Sequence, residues 1–196
     1  MRFIIRYSLE AFFIFHHFLL NEIMYKYWVY LYTRGDKMLS FRNIVTAFIF
    51  HDDQILLMKR GNDRKIAPGY WFGVGGHMEP EEINDPYKAI YREILEESGI
   101  KRERLKNLEL KYIAYNRDID NDEIIVNHIF FGDLASKEYI NSDEGELFWV
   151  EKDEVLNKEF HPVFKIILAN YFKNKKEEIM IGVIGTDDPY TWWYPV

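Results

Sequence analysis

The stretch Gly75–Ile100 reads GGHMEPEEINDPYKAIYREILEESGI and carries the strongest structural signals of the chain. It predicts a helix over Pro86–Ser98. Asp85 is of a residue type that caps helix N-termini, and proline suits the first helical position after it. Gly99 follows the last predicted turn, where glycine commonly ends a helix. The glycine pair Gly75-Gly76 lies between this helix and a preceding stretch that is typical of a strand.

Three glutamates share one side of the predicted helix. At 100° per residue, Glu93, Glu96 and Glu97 fall within an arc of about 100°. The apolar residues fall on another side, which we expect to pack inward: Tyr87, Ile90, Tyr91, Ile94 and Leu95. Glu93 and Glu97 are like charges four residues apart, which costs an isolated helix about 0.2–0.5 kcal/mol. Either this acidic side is simply solvated, or a divalent cation compensates its charge.

The neighbouring residues favour the cation. Hard cations such as Mg²⁺ take oxygen ligands, often one or two carboxylates together with substrate phosphates. The glycine pair allows the backbone to approach a ligand closely and to expose its carbonyl oxygens. Arg92 stands beside the acids, where its planar guanidinium is suited to hold one carboxylate in a fixed geometry. We therefore predict a metal-dependent site on this helix.

From Arg42 onward the chain has the pattern of an α+β domain. An amphipathic stretch, Pro162–Phe172, predicts a second helix. Stretches rich in β-branched and aromatic residues predict strands, and the acidic loop Asp118–Asp122 joins two of them. The predicted strands are Asn43–Phe50, Gln54–Lys59, Tyr70–Val74, Leu108–Tyr115, Glu123–Phe131, Glu146–Val150 and, as the last strand, Ile179–Ile184.

The composition excludes several classes of protein. With 196 residues, the chain has room for one domain and a small addition. It has no cysteine, so disulfides, thiolate metal sites and cysteine nucleophiles are excluded. The net charge of −7 argues against binding to duplex nucleic acid, because neutralising phosphates requires a surplus of Lys and Arg.

Residues 1–37 differ from the rest. They hold 11 of the 34 aromatic residues and a net charge of +2, which leaves −9 for residues 38–196. Their longest uncharged run, Ala11–Asn21, is shorter than the roughly 20 apolar residues of a membrane span, and no cleavage site of a signal peptide follows it. The segment is a membrane-surface helix, a docked helix, or an extension outside the functional fold. We favour the extension, with Met38 as the effective start, residues 38–196 as the functional domain, and a cytoplasmic location.

The stretch quoted first resembles the signature of the Nudix hydrolases, G-x5-E-x7-R-E-U-x-E-E-x-G-U, in which U is a bulky aliphatic residue. Gly76 and Glu82 match its first half, and Arg92–Ile100 matches its whole second half, including Gly99. Nine residues separate Glu82 from Arg92 where the signature has seven. The two extra residues precede the helix, where a loop absorbs them, but they leave the position of Glu82 open.

The resemblance extends more loosely over Phe41–Phe172 and implies the Nudix fold, an α/β/α sandwich with a mixed central sheet. It also implies an enzyme that hydrolyses diphosphate linkages of nucleotides with Mg²⁺, or with Mn²⁺ in its place. The implied site has Arg92 orienting a glutamate and a carbonyl oxygen of Gly75 or Gly76 completing the metal ligands. Its catalytic and metal-binding carboxylates are those of Glu93, Glu96 and Glu97.

A carboxylate takes the proton of the attacking water in such a reaction. In related enzymes this base is either a glutamate of the signature, here Glu93, or an acid of a later loop. Asp143, Glu144 and Glu146 lie in a loop of that kind, just before a strand. We choose Glu144 as the additional metal-binding or catalytic acid, although a solvated loop acid has the same sequence pattern.

The compact length after Met38 resembles the MutT-type branch of the family, which hydrolyses nucleoside triphosphates, including oxidised purine (8-oxo-dGTP-like) nucleotides, to monophosphate and pyrophosphate. Three cationic residues are candidates to bind phosphates: Lys59, Arg60 and Arg64. Three further residues are candidates to bind the base, two by stacking and one by paired hydrogen bonds: Trp71, Phe72 and Asn127.

Two alternatives stay open. One is a Nudix pyrophosphatase for ADP-ribose, nucleotide sugars or dinucleoside polyphosphates. The other is a non-catalytic nucleotide-sensing or protein-binding module that reuses the fold. The expected partner is a small nucleotide, and the oligomeric state is left open, with a homodimer among the options.

Overall fold

The computed structural model describes residues 39–61, 67–142, 145–173, 178–185 and 191–196. The described residues contain nine strands: β1 (Ser40–His51), β2 (Gln54–Lys59), β3 (Trp71–Phe72), β4 (Val74–His77), β5 (Leu105–Asp118), β6 (Glu123–Leu134), β7 (Glu146–Glu151), β8 (Met180–Ile184) and β9 (Thr191–Pro195). They also contain three α-helices: α1 (Pro86–Ser98), α2 (Lys152–Val155) and α3 (Pro162–Lys173). Short 3₁₀ turns cover Pro80–Glu82 and Arg102–Arg104.

The strands form one mixed sheet in the order β3-β2-β1-β6-β5-β8-β9, and β4 and β7 pair with β1 and β2 from outside this path. The pairs β1/β6 and β5/β8 are parallel, and the other pairs are antiparallel. β1 pairs with β2 at its C-terminal end and with β4 over Ile44–Ala47. The sheet therefore splits beside the middle of β1, and β4 brings the glycine pair to this split.

Two hydrophobic cores lie on opposite faces of the sheet. On one face, Phe48, Ile129 and Phe131 pack with helix α3. On the other face, Val45, Ala47 and other strand residues pack with helix α1. This alternation along the strands is what a sheet buried on both faces requires, since successive side chains point to opposite sides. The predicted α/β/α sandwich with a mixed central sheet is confirmed.

Most predicted elements are confirmed, with shifted ends. Strand β2 and helix α1 have the predicted bounds, and Asp85 caps α1 by accepting a hydrogen bond from the backbone N–H of Lys88 at 3.1 Å. Gly99 ends α1 in a left-handed conformation with a φ of 65°. Two predictions are wrong. The strand expected over Tyr70–Val74 is divided at Gly73 into β3 and β4, and β8 is not the last strand, because β9 pairs with it as the next strand.

The orientation of helix α1 also corrects the sequence prediction. Glu93 and Glu97 are buried, with 9% and 7% of their surface exposed, whereas Leu95 is half exposed. The full set of buried residues on this helix is Ala89, Ile90, Glu93, Ile94, Glu97 and Ser98. The two glutamates therefore lie near the middle of the buried arc rather than on a solvated side. Apolar periodicity misplaced this face because it cannot register polar groups that are buried together with their partners.

The N-terminal extension predicted for residues 1–37 lies outside the described residues, so the division at residue 38 stays a prediction. Within the described part of the chain, no helix is both long and apolar enough to cross a membrane.

Candidate active site

The glycine pair lies at the split of the sheet, where neither position has room for a side chain. A Cβ on Gly75 would lie 2.1 Å from the carbonyl oxygen of Val45 in the neighbouring strand. A Cβ on Gly76 would lie 2.7 Å from both carboxylate oxygens of Glu93. A side chain at position 75 would occupy the space of β1, and a side chain at position 76 would force the carboxylate of Glu93 to move.

Helix α1 brings two carboxylates against this glycine pair. Glu97 accepts a hydrogen bond from the backbone N–H of Gly75 at 2.7 Å. Glu93, one turn earlier, packs its carboxylate against Gly76. The spacing of four residues places both side chains on the same face of the helix, one above the other. The two buried acids and the backbone of β4 thus form one compact unit.

Arg92 organises the acids around it. Its Nε and Nη2 donate to the two oxygens of Glu82 at 3.0 and 2.8 Å. Its Nη1 donates to Glu93 at 2.9 Å and to Glu96 at 3.0 Å, and its Nη2 donates in addition to the carbonyl oxygen of His77 at 3.0 Å. A guanidinium has five N–H donors, and all five are used here. Arg92 therefore positions carboxylates and has no donor left for a substrate.

Glu82 is the buried partner of this arginine despite the two extra residues of the loop. It is 1% exposed, and it also accepts a hydrogen bond from the backbone N–H of Glu79 at 3.1 Å. Its own carbonyl oxygen accepts from the N–H of Asp85, so the added residues form the turn before the helix. The hydrogen bonds from Arg92 lower the pKa of Glu82 to about 2, against the opposing effect of burial.

Glu93 has the electrostatic properties of a cation ligand. Burial raises the pKa of Glu93, because an ionised carboxylate loses hydration there, and the hydrogen bond from Arg92 only partly offsets this. Arg92 engages its Oε1, and no described residue donates a hydrogen bond to its Oε2. A divalent cation beside Glu93 and Glu97 would relieve both the desolvation and the mutual repulsion of the two acids. The residues present therefore fit such an ion.

The carboxylates do not form a complete cage by themselves. Among the described residues, no three acidic or histidine side chains converge as a metal-binding group. The side chain of Glu96 is 58% exposed and is hydrogen-bonded to Arg92. Glu144 lies outside the described residues. The arrangement therefore resembles a Mg²⁺ site that relies on one or two carboxylates and completes its coordination with substrate phosphates and water.

The predicted phosphate- and base-binding residues are brought together only in part. The guanidinium of Arg60 lies 5.4 Å from the ring centre of Phe72, on the side of the sheet where Phe72 packs against Phe164. Lys59 instead lies 5.7 Å from the ring centre of Trp71 and is exposed. Trp71 also contacts Phe148 and Lys158. Arg64 lies outside the described residues, and Asn127 is buried in β6, 3% exposed.

Sequence reasoning missed three polar residues of the sheet: Arg42, His77 and Asn116. Burial lowers the pKa of His77, and the positive charges of Arg42 and Arg60 lower it further, so the three groups lie within electrostatic reach of one another. Arg42 also forms ion pairs with Asp118 and Glu123. Asn116 was missed because the predicted strand ended one residue before it. A period of two continued past Tyr115 would have put Asn116 on the same face as Ala114.

A mixed sheet between two helical layers, with glutamates of one helix buried against a glycine pair, defines a class of hydrolases that act on diphosphate bonds. The chain belongs to the Nudix family, because the family model of the NUDIX domain matches residues 40–171. It is a hydrolase of diphosphate, that is acid anhydride, bonds.

Two curated relatives and one solved structure illustrate the similarity. The nucleoside triphosphatase NudI of Enterobacter sp. strain 638 is 31% identical over 124 residues, which cover 58% of this chain and 84% of the relative. NudI of Escherichia coli is 31% identical over 126 residues, or 59% and 86% of the two chains. The crystal structure of the mutator MutT protein from Bacillus halodurans is 26% identical, with a TM-score of 0.61 over 76% of this chain and 94% of that chain.

Proposed function

We propose that this chain hydrolyses nucleoside triphosphates to nucleoside monophosphate and pyrophosphate, using Mg²⁺, with Mn²⁺ as a substitute. The observation that carries the proposal is the pair of buried glutamates, Glu93 and Glu97, held against the glycine pair of β4. The substrate class is supported by the curated relatives, which are nucleoside triphosphatases and are 31% identical to this chain over the aligned residues.

In this proposal Glu93 and Glu97 hold the metal, with a carbonyl oxygen of Gly75 or Gly76. When bound, Mg²⁺ neutralises phosphate oxygens and lowers the pKa of a coordinated water. Arg92 keeps Oε1 of Glu93 in place, so that Oε2 is held in a fixed position to bind the metal. The N–H of Gly75 orients Glu97 in the same way. Glu96 accepts a hydrogen bond from Arg92, so it helps to hold the guanidinium that positions Glu93.

The reaction adds one water across the bond between the α- and β-phosphates. The water oxygen bonds to phosphorus, the bridging oxygen leaves with its electron pair, and one proton of the water passes to a carboxylate. Glu93, a glutamate of the signature, is the first choice for this acceptor. Glu144 is the alternative base. In this proposal Arg60 contacts the phosphates and Phe72 stacks on the base, which is supported by the guanidinium of Arg60 lying 5.4 Å from the ring centre of Phe72.

The test is a panel of substrates with titrated Mg²⁺, read by the identity of the products. The panel contains the nucleoside triphosphates, 8-oxo-dGTP, ADP-ribose, a nucleotide sugar and a dinucleoside polyphosphate. Pyrophosphate and monophosphate from a triphosphate, formed only with the metal, support the proposal. Faster cleavage of ADP-ribose or a nucleotide sugar would replace it, and absence of turnover on every compound would point to a sensing module.

The choice between ordinary and oxidised purine triphosphates is a second outcome of the same panel. A higher kcat/KM for 8-oxo-dGTP than for dGTP would support a role in removing damaged nucleotides. The cytoplasmic location stays a prediction from the sequence, and the oligomeric state stays open.

A further inference from the structure

Two buried asparagines stand side by side in the sheet, on the face that packs against helix α3. Asn127 of β6 shares this face with Ile129 and Phe131, which belong to the α3 core. Asn116 of β5 shares it with Ala114 of the same core. The two residues are 3% and 6% exposed. Buried amides at the end of an apolar core are costly unless their hydrogen bonds are completed.

The orientation of both amides follows from their contacts. Asn127 Nδ2 donates to the backbone carbonyl oxygen of Ala114 at 3.2 Å and to Asn116 Oδ1 at 2.8 Å. A backbone carbonyl only accepts, so the atom of Asn127 that faces it must be the nitrogen. The atom of Asn116 that faces this nitrogen must then be its oxygen. The pair is therefore locked, with Asn127 Oδ1 as an acceptor and Asn116 Nδ2 as a donor on its outer side.

These two outer groups have no hydrogen-bond partner among the described residues. They are nevertheless not sealed inside the protein. In the described part of the chain, the one fully buried side-chain N or O atom without a hydrogen bond is Arg42 Nε, which lies 3.1 Å from Glu123 Oε2 as an ion pair. The acceptor of Asn127 and the donor of Asn116 are therefore each in slight contact with solvent rather than fully enclosed.

The strand registers place this pair at one end of a row that reaches β4 on the α3 face of the sheet, whereas Glu93 and Glu97 approach β4 from the α1 face. Asn127 is aligned with Ile44 of β1, and Ile44 is aligned with His77 of β4, directly after the glycine pair. Two strand spacings of about 4.8 Å therefore separate Asn127 from His77, about 10 Å in all. In the next row, Ile125 lies between Arg42 and Asn116.

A nucleotide bound by its phosphates at the glycine pair and the glutamates extends by about this distance to its base. The sheet face between the two ends is lined by Ile44, with His77 opposite it in β4 and Arg42 two residues earlier on the same face of β1. A base reaching the asparagine pair would meet one acceptor and one donor of fixed orientation.

We propose that Asn116 and Asn127 together read the nucleobase, and that Asn116 Nδ2 determines the base preference by requiring an acceptor on the base edge. Asn127 Oδ1 accepts a hydrogen bond from a donor on the same base edge. The proposal rests on the proposed function, since it uses a nucleotide with its phosphates at the glycine pair. Polar groups that are left unpaired when the wrong ligand binds give strong discrimination.

The variant Asn116→Asp tests this role without removing the pair. Aspartate keeps an oxygen for the hydrogen bond from Asn127 Nδ2, but it replaces the outer donor by an acceptor. The matched control is Asn141→Asp, which adds the same charge at an exposed asparagine whose Oδ1 accepts from the N–H of Leu147 at 2.9 Å. Thermal unfolding of both variants checks the fold.

The first measurement is kcat/KM for the four ribonucleoside triphosphates and for ribose 5-triphosphate, which has no base. For Asn116→Asp we expect kcat/KM on the preferred nucleotide to fall about 10- to 100-fold, with a changed order of preference among the bases. Ribose 5-triphosphate and the Asn141→Asp variant should stay within twofold of wild type. Equal losses on all five substrates would overturn the proposal, because they would indicate a structural effect.

The second measurement separates this proposal from the proposed function. It compares the affinities of wild type and Asn116→Asp for the four nucleoside monophosphates in a titration that needs no turnover. A wild type that prefers one base, with the preference lost in the variant, supports base reading even if no triphosphate is hydrolysed. Equal affinities for all bases, or the same preference in both proteins, would overturn it whatever the catalytic activity.

Discussion

The ion pair between Glu82 and Arg92 makes a quantitative prediction about stability. In the variant Glu82→Gln, the carboxylate that accepts two hydrogen bonds from Arg92 and one from the backbone of Glu79 loses its charge. Glutamine keeps one oxygen, so part of the hydrogen bonding survives. Hydrogen bonds to charged groups contribute about 1.5–3 kcal/mol each, and breaking a buried pair costs about 3–5 kcal/mol. We expect the free energy of unfolding to fall by about 2–3 kcal/mol at pH 7.

The lowered pKa of Glu82 yields a similar magnitude for its contribution to the free energy of unfolding. A fall from 4.5 to about 2 on folding corresponds to about 3 kcal/mol at 1.36 kcal/mol per pKa unit. Because the pKa is lowered in the folded state, this stabilisation is fully present above pH 4.5. It is lost as the pH falls from 4.5 towards 2. The difference in stability between wild type and Glu82→Gln should therefore shrink over this interval and be close to zero at its lower end.

Urea unfolding of both proteins from pH 7 to pH 2 provides the measurement. The control is Glu81→Gln, an exposed neighbour in the same 3₁₀ turn, which should change stability by less than about 0.5 kcal/mol. If Glu82→Gln were no less stable than the control at pH 7, the reasoning would be wrong. A difference that persisted unchanged at pH 2 would refute the assigned pKa shift even if the first result agreed.

Three further predictions concern the site and the extension. Glu93→Gln and Glu97→Gln should each lower kcat by at least about 100-fold and remove the rise in melting temperature that Mg²⁺ causes in wild type, whereas the exposed Glu103→Gln should do neither; near-normal turnover of either variant would contradict the metal assignment. Gly76→Ala should lower kcat at saturating Mg²⁺ about 10-fold or more, because its Cβ would lie 2.7 Å from the oxygens of Glu93; unchanged kinetics would show that the contact is unimportant. A chain without residues 1–37 should keep its circular dichroism melt and its turnover, and failure to fold would show that this segment belongs to the domain.

Local signals predicted the elements that depend on local physics. Asp85, the proline after it and Gly99 bound helix α1 correctly, because capping and glycine termination act within one or two turns. Strand β2 was equally clear from its composition. Strand β9 was missed because it forms by pairing with β8, and the sequence of a strand carries no local signal for its partner.

The residue types and spacings of the candidate site were predicted from the sequence, but the burial of its glutamates was not. Helical periodicity separated Glu93 and Glu97 from the side of the helix that packs inward, because it weighs hydrophobicity alone. The partners that make burial tolerable are the N–H of Gly75 for Glu97 and one N–H of Arg92 for Glu93. The first comes from a strand, and the second belongs to the hydrogen-bond network of Arg92. Arg42, His77 and Asn116 were missed because their roles depend on strands that are distant in sequence but adjacent in the sheet.

The sequence by itself determined the class of fold, the family and the carboxylates with their glycine pair, because the spacing of these residues along one helix and its flanking loop is a local property. The tertiary structure decided where Glu82 goes despite its longer loop, which face of α1 is buried, and that Asn116 and Asn127 meet. The physical reason is that hydrogen bonds between strands, and the burial that makes them strong, join residues whose separation along the chain carries no trace of their contact.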